Sequence, residues 1–334
     1  MPVTYGRCGR AVDPHTRRNI GPVRRIRIGH RPREGHWARF PGLDADGADG
    51  TAAAGDLGDR LGAVTEASTE SDPGPRIAVI GGSGFYEFLA NAQNVAVRTP
   101  YGDPSAPVSI GELGGRPVAF IPRHGRRHEF PPHTVNYRAN MWALRSLGVR
   151  QILAPCAVGS LQPNLDPGAL VVPDQLVDRT SGRLQTFYDQ GAVHVAFADP
   201  YCPVLRAALV STSPRIFDGG TMVVVEGPRF STRAESEWFA SLGWAVVNMT
   251  GHPEAVLARE LALCYATIAL VTDRDASASE GERVSQASVL AEFAANLGRL
   301  RHLLELAVTR LPTDRSGCSC GSALDGMSLP GELP

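Results

Sequence analysis

The sequence predicts an α/β fold, a mostly parallel or mixed twisted sheet flanked by helices. Three observations carry that expectation. Short aliphatic runs recur through the middle of the 334-residue chain. They are continuous instead of alternating, as in parallel strands buried on both faces, and helical periodicity falls between several of them. This patterning occupies residues 76–312 as a single domain. Before it, the first forty residues hold ten Arg against Asp13 and Glu34, and the next thirty-five hold eight acids against Arg60. Such charge blocks without periodicity read residues 1–75 as a disordered, dispensable extension. Residues 313–334, rich in Gly and Ser, read as a disordered tail.

The first strand, Arg76–Ile80, runs into Gly81-Gly-Ser-Gly84. Further strands are expected at Val118–Ile121, Gln151–Ala154, Ala169–Val172, Thr221–Val225, Ala245–Met249 and Cys264–Val271, each an apolar run bounded by turn residues. Asn136–Leu147 carries apolar residues at helical spacing. Thr232-Arg-Ala-Glu235 is a capping box opening a second helix, and Pro253 suits the first position of a third. Ser285–Leu311 is long and amphipathic.

Composition excludes several function classes. Hydrophobic residues make up 43% and charged residues 20%, and no apolar run reaches the ~20 residues of a bilayer span, so a membrane role is not expected. A formal net charge of -1 leaves no whole-protein basic field for nucleic acid. Six cysteines are widely spread and none has the CxxC spacing of a zinc site, so reduced cytoplasmic thiols and no bound metal are expected. Cys318-Ser-Cys320 could serve as a redox pair.

The chemistry-bearing residues cluster at strand ends, where open α/β sheets bind ligands. The glycine turn around Ser83 is either a plain tight turn or a phosphate cradle of backbone N–H groups. It lacks the third glycine of a dinucleotide fingerprint, the Lys of a P-loop and the last glycine of a nucleophile elbow. Arg123-His124-Gly-Arg-Arg-His128 gathers fixed and switchable cations after another strand, and Thr250 ends a third. Convergent donors of this kind suit an anion. Glu226-Gly-Pro-Arg-Phe230 offers an aromatic face for a planar base, or a core side chain. The run from Cys264 emerges into Asp273 and Asp275, either a surface acid pair or two carboxyls that read a ring nitrogen and an amino group.

Taken together, IAVIGGSGFYEF, RHGRRHEFPPHTVNYRANMWALRSLG, APCAVGSL, PGALVVPDQLVDRTSGRLQTFYD, GTMVVVEGPRFSTRAES and VVNMTGHPEAVLARELALCYATIALVTDRD resemble the 5′-methylthioadenosine phosphorylases of the purine nucleoside phosphorylase family, over about residues 76–312. The resemblance implies phosphorolysis of a purine nucleoside by inorganic phosphate as co-substrate, without metal or organic cofactor. It also implies a cytoplasmic homotrimer or dimer of trimers that binds neither nucleic acid nor membrane. By the same resemblance, Ser83, Arg123, His124, Cys156, Ala157 and Thr250 match phosphate-binding positions. Met249 matches the residue on the ribose, Phe230 and Val247 the base pocket, Asp273 and Asp275 the pair reading the purine, and His194 a contribution to the neighbouring subunit's 5′ pocket. Asp275 is the expected general acid.

Two positions depart from the family pattern: Cys156, where Thr is common, and Gly251-His252, where some relatives preferring 6-oxopurines also have Gly. The expected reaction is cleavage of S-methyl-5′-thioadenosine to adenine and 5-methylthioribose 1-phosphate, in purine and methionine salvage. A 6-oxopurine nucleoside phosphorylase acting on inosine or guanosine is the alternative, and a nucleotide-binding module without catalysis is a third reading.

Overall fold

The computed structural model describes residues 76–334, apart from 83, 84, 86, 87, 90 and 276–283. The expected extension of residues 1–75, and with it Cys8, lies outside the described residues. The strands are β1 (Ile77–Gly81), β2 (Gln93–Val95), β3 (Val108–Leu113), β4 (Arg116–Pro122), β5 (Gln151–Ser160), β6 (Leu170–Val172), β7 (Gln175–Arg179), β8 (Ile216–Asp218), β9 (Thr221–Val225), β10 (Val246–Asn248) and β11 (Cys264–Arg274). The helices are α1 (Tyr137–Ser146), α2 (Pro203–Val210), α3 (Arg233–Ser241), α4 (Gly251–Glu260) and α5 (Gln286–Arg310).

The sheet is mixed, and β5 is its hub. It pairs in parallel with β11 along its whole length, from Cys264↔Gln151 to Arg274↔Ser160. On its other edge it pairs in parallel with β1 only from Gln151 to Leu153, then antiparallel with β10 at Gly159 and Ser160. Between those two pairings the edge of β5 is left open, and that opening positions the site. β4 continues the sheet beyond β1, and β9 and β7 continue it beyond β10.

Side chains alternate across the strands, so each face feeds its own core. Ile77, Val79, Phe120, Leu153, Ile268 and Leu270 pack with Leu205 and Leu209 of α2 and Phe293, Leu300 and Leu304 of α5. Ala78, Ile80, Ile121, Ile152 and Tyr265 face Met141 and Leu144 of α1 and Leu257 of α4. The expected α/β layering is therefore present, with helices on both faces.

Local signals explain the helix starts. The Asn136 side chain accepts from Ala139 N to cap α1, and Thr232 and Glu235 form the anticipated capping box of α3. β5 runs beyond the expected Gln151–Ala154, through Pro155 and Gly159, which read as breakers. Pro155 is tolerated because the flanking edge is not paired there.

The expectation of a disordered tail after Pro312 is corrected. Residues 313–334 run on from α5, form a 3₁₀ turn at Cys320–Ser322 and bury Cys320 in the core cluster beside α2 and α5. A free cysteine behaves as a small hydrophobe, which a Gly/Ser-rich composition conceals.

Candidate active site

The open edge of β5 faces a cavity of about 380 Å³. Its wall includes Gly82 after β1, Arg123 and His124 after β4, Cys156–Gly159 of β5, Phe230 and Ser231 before α3, Val247–Thr250 around the end of β10, and Asp273 and Asp275 at the end of β11. The structure thus unites Arg123, His124, Cys156, Ala157, Thr250, Phe230, Val247, Met249, Asp273 and Asp275, ten of the twelve site residues expected from sequence. Ser83 lies outside the described residues. His194 is exposed and away from this cavity.

At one end sits Arg123, only 1% exposed. Its Nε and Nη2 donate to the buried carboxylate of Glu254 on α4, while Nη1 makes only a 3.4 Å contact with Pro155 O. Burial works against the guanidinium charge, and Glu254 overrides it, holding the pKa above its ordinary value. Tyr265 Oη donates to Glu254 Oε2 at 2.9 Å. The pair is therefore locked on the helix side, with Nη1 left toward the cavity. A Cβ on Gly82 would stand 3.1 Å from Nη1 and 3.2 Å from Pro155 O, so glycine is what lets the β1 turn approach.

His124 is not the switchable cation that the sequence suggests. Burial first, and the Arg123 charge second, push its pKa down to about 3. Its Nδ1 lies 2.8 Å from Phe130 O. A carbonyl can only accept, so Nδ1 carries the hydrogen and neutral Nε2 is an acceptor. His124 can receive a proton or a hydroxyl hydrogen bond, but it brings no charge of its own.

Asn248 was missed by sequence reasoning and organises the neighbouring turn. Its Oδ1 accepts from Thr250 N at 2.7 Å and Gly251 N at 2.6 Å, and its Nδ2 donates to Ala157 O at 3.1 Å. The side chain thereby ties the start of α4 to the open edge of β5. Only an Asn after an apolar strand hints at it. Arg183 was also missed: it donates to Met249 O, His252 O and Glu226 O, fastening the EGPRF loop to the end of β10. Cys156 is buried, and burial pushes its thiol pKa up to about 12. It is a neutral, weak S–H donor.

The other end of the cavity holds the two acids. Register along β11 shifts between Val271 and Asp273, leaving Thr272 as an extra residue opposite β5. Such a bulge re-aims the residues around it, and Thr272, Asp273 and Asp275 all line the cavity. Asp275 is 3% exposed and accepts a hydrogen bond from Ser236 Oγ on α3. Asp273 accepts from Thr272 Oγ1 at 2.9 Å. Burial, reinforced by the Asp275 charge and opposed by the Thr272 hydrogen bond, pushes the Asp273 carboxyl up to about 6. Both groups crowd Gly159, where a Cβ would lie 3.0 Å from Asp273 Oδ1 and 3.1 Å from Asp275 Cβ.

A buried guanidinium and a threonine on one part of the cavity wall, with paired acids on another, suit a substrate that has an anionic part and a polar ring. The family comparison agrees: residues 76–309 match the model described as "Phosphorylase superfamily", and the chain belongs to that family. It is a pentosyltransferase of the nucleoside phosphorylase fold.

Its relatives narrow the class further. The chain is 60% identical, over 77% of its length and 99% of the relative's, to the S-methyl-5′-thioadenosine phosphorylase of Mycolicibacterium smegmatis. It is 57% identical to a Streptomyces coelicolor protein named purine nucleoside phosphorylase, covering 77% of this chain and 97% of that one. A solved Schistosoma mansoni methylthioadenosine phosphorylase in complex with adenine superposes with a TM-score of 0.71 at 37% identity, over 75% of this chain and 96% of the other.

Proposed function

We propose that the chain catalyses phosphorolysis of S-methyl-5′-thioadenosine to adenine and 5-methylthioribose 1-phosphate, in purine and methionine salvage. The observation that carries this reading is the acid pair at the base end, one member of which has its pKa pushed up to about 6. Adenine presents an amino donor beside N7, an acceptor that must gain a proton as the base leaves. One ionised carboxylate and one protonated carboxyl complement that edge.

The division of labour proposed within the pair differs from the sequence expectation of Asp275 as general acid. Asp275 receives the Ser236 hydroxyl and is assigned to the amino group. Asp273, raised by burial, is the better carrier of the proton for N7. Phosphate would occupy the end near Arg123 Nη1, Thr250 and the Ala157 N–H; Ser83 is assigned to phosphate by the sequence resemblance alone. Neutral His124 Nε2 would accept a hydroxyl hydrogen there. Bound phosphate then lies beneath the anomeric carbon and stabilises the oxocarbenium charge that develops as the glycosidic bond breaks. Phe230 and Val247 would flank the base and Met249 the ribose. No metal or organic cofactor enters the reaction.

In this reading the protein works in the cytoplasm as a homotrimer or a dimer of trimers, with exposed His194 reaching a neighbour's 5′ pocket. The 6-oxopurine alternative is kept because the Streptomyces relative carries that broader name. A 6-oxo group offers only acceptors and would face an ionised carboxylate badly. Comparing kcat/KM for methylthioadenosine and inosine at saturating phosphate tests the proposal: methylthioadenosine should be favoured by at least about a hundredfold. A preference for inosine would overturn it, and binding of both without turnover would support the module reading.

A further inference from the structure

We propose that Cys202, Cys264, Cys318 and Cys320 form a tetrathiolate site for one structural zinc ion, separate from the active-site cavity. Their four Sγ atoms all lie within 4.8 Å of one another. A tetrahedral centre with Zn–S bonds of about 2.3 Å separates its sulfurs by about 3.8 Å, so the four thiols are gathered at that scale. The Cys264 and Cys318 sulfurs are 3.5 Å apart, near such an edge and well beyond the ~2.05 Å of a disulfide bond. Cys202, Cys264 and Cys320 are buried and Cys318 is half-buried. Four protein ligands in a closed position define a structural site, with no open coordination position for chemistry.

The ligands come from three parts of the chain that the fold already joins. Cys202 is the N-cap of α2, and its N–H donates to Tyr265 O at 2.8 Å. Cys264 opens β11, next to that carbonyl, and its N–H donates to Arg150 O at 2.9 Å. The Cys318-Ser-Cys320 turn follows α5, anchored by Arg315 Nη1 donating to Ala262 O between α4 and β11. Because the ligands are distant in sequence, no spacing motif announces them.

Soft thiolates in tetrahedral array select zinc over hard oxygen-seeking cations. Loading would break four S–H bonds, form four Zn–S bonds and release four protons to solvent, with no redox change. The complex carries a formal surplus of negative charge. Cys202 at the start of α2 meets the positive end of the helix dipole, and Arg206 and Arg259 line the same cleft as Cys320. The ion would clamp the end of the chain onto the first residues of β11 and α2.

The test uses the full-length chain, expressed with zinc and purified in reducing buffer without chelator. Metal analysis after gel filtration should find about one zinc per chain. Exchange for Co²⁺ should give sulfur-to-cobalt charge-transfer absorption with the intense visible bands of a tetrahedral thiolate site. The double variant Cys318→Ser/Cys320→Ser should keep less than about a tenth of that zinc, and Ser319→Ala, in the same turn, should keep it all. The wild-type chain decides the matter even if the double variant fails to fold. Zinc-free protein, weak octahedral cobalt bands, or a mass showing disulfides among these four cysteines in place of the metal would overturn the proposal, as would full zinc retention by the double variant.

Discussion

Replacing Asp273 by Asn should make the protein more stable and less active, by amounts that depend on pH. The Asp273 carboxyl is raised from 3.8 to about 6, chiefly by burial. Below about pH 4 it is protonated whether the chain is folded or not. Between about pH 4 and 6 the folded state keeps a proton that the unfolded state has released, so stability falls as pH rises through that window and levels off above it. A rise of about two pH units, at about 1.4 kcal/mol each, gives a cost on the order of 3 kcal/mol at pH 8, an upper value because solvent reaches one edge of the group.

The amide has the same shape and no such cost. Asp273→Asn should therefore match the wild type near pH 4 and exceed it by up to about 3 kcal/mol at pH 8, read from urea unfolding at fixed protein concentration. In parallel, kcat/KM for methylthioadenosine should drop about a hundredfold or more, as expected on losing a general acid, while inosine turnover suffers less because an amide can donate to a 6-oxo group. A stability difference that is equal at both pH values, or a variant less stable at pH 8, would refute the perturbed carboxyl. Equal loss with both nucleosides would refute its role in reading the base.

Three further outcomes follow from the same geometry. Gly159→Ala should raise KM for the nucleoside several-fold with little change for phosphate, since its Cβ would stand 2.9 Å from Val247 Cγ1 and 3.0 Å from Asp273 Oδ1; steady-state kinetics with each substrate varied separately checks it. Glu254→Gln removes the charge that balances a fully buried Arg123 and turns one acceptor into a donor facing it, so it should destabilise the fold by about 3–5 kcal/mol in denaturant unfolding. Cys156→Thr replaces a weak S–H donor by a hydroxyl of similar size, and the KM for phosphate should fall several-fold.

The parts of the fold legible in the sequence are those whose signals are local. Aliphatic runs gave the central strands, and the Thr232–Glu235 box and Ser285 marked helix starts that the structure reproduces. The short strands β2, β3, β7 and β8 were not foreseen, since polar residues interrupt their apolar pattern; β7 and β8 are moreover held by pairing with β9 and β6, distant in sequence. The same division holds at the site. Strand-end positions brought out Arg123, Thr250, Asp273 and Asp275, whereas Glu254, Asn248, Ser236 and Arg183 act through partners that only the folded chain supplies. His124 shows a subtler limit: its identity was legible, but its neutral state depends on burial and on the adjacent guanidinium.

The hub strand has a consequence for how such an enzyme can change. Ala157, tied to Asn248, and Gly159, packed against the acid pair, stand two residues apart on β5. In the proposed reaction, the pitch of an extended strand would therefore space the two reactants, at about 6.5–7 Å between those anchor points. No loop insertion can lengthen that interval without breaking the sheet at its most heavily paired member. Under the proposed reaction, divergence toward other nucleosides would thus be channelled into side-chain exchange around a fixed gauge.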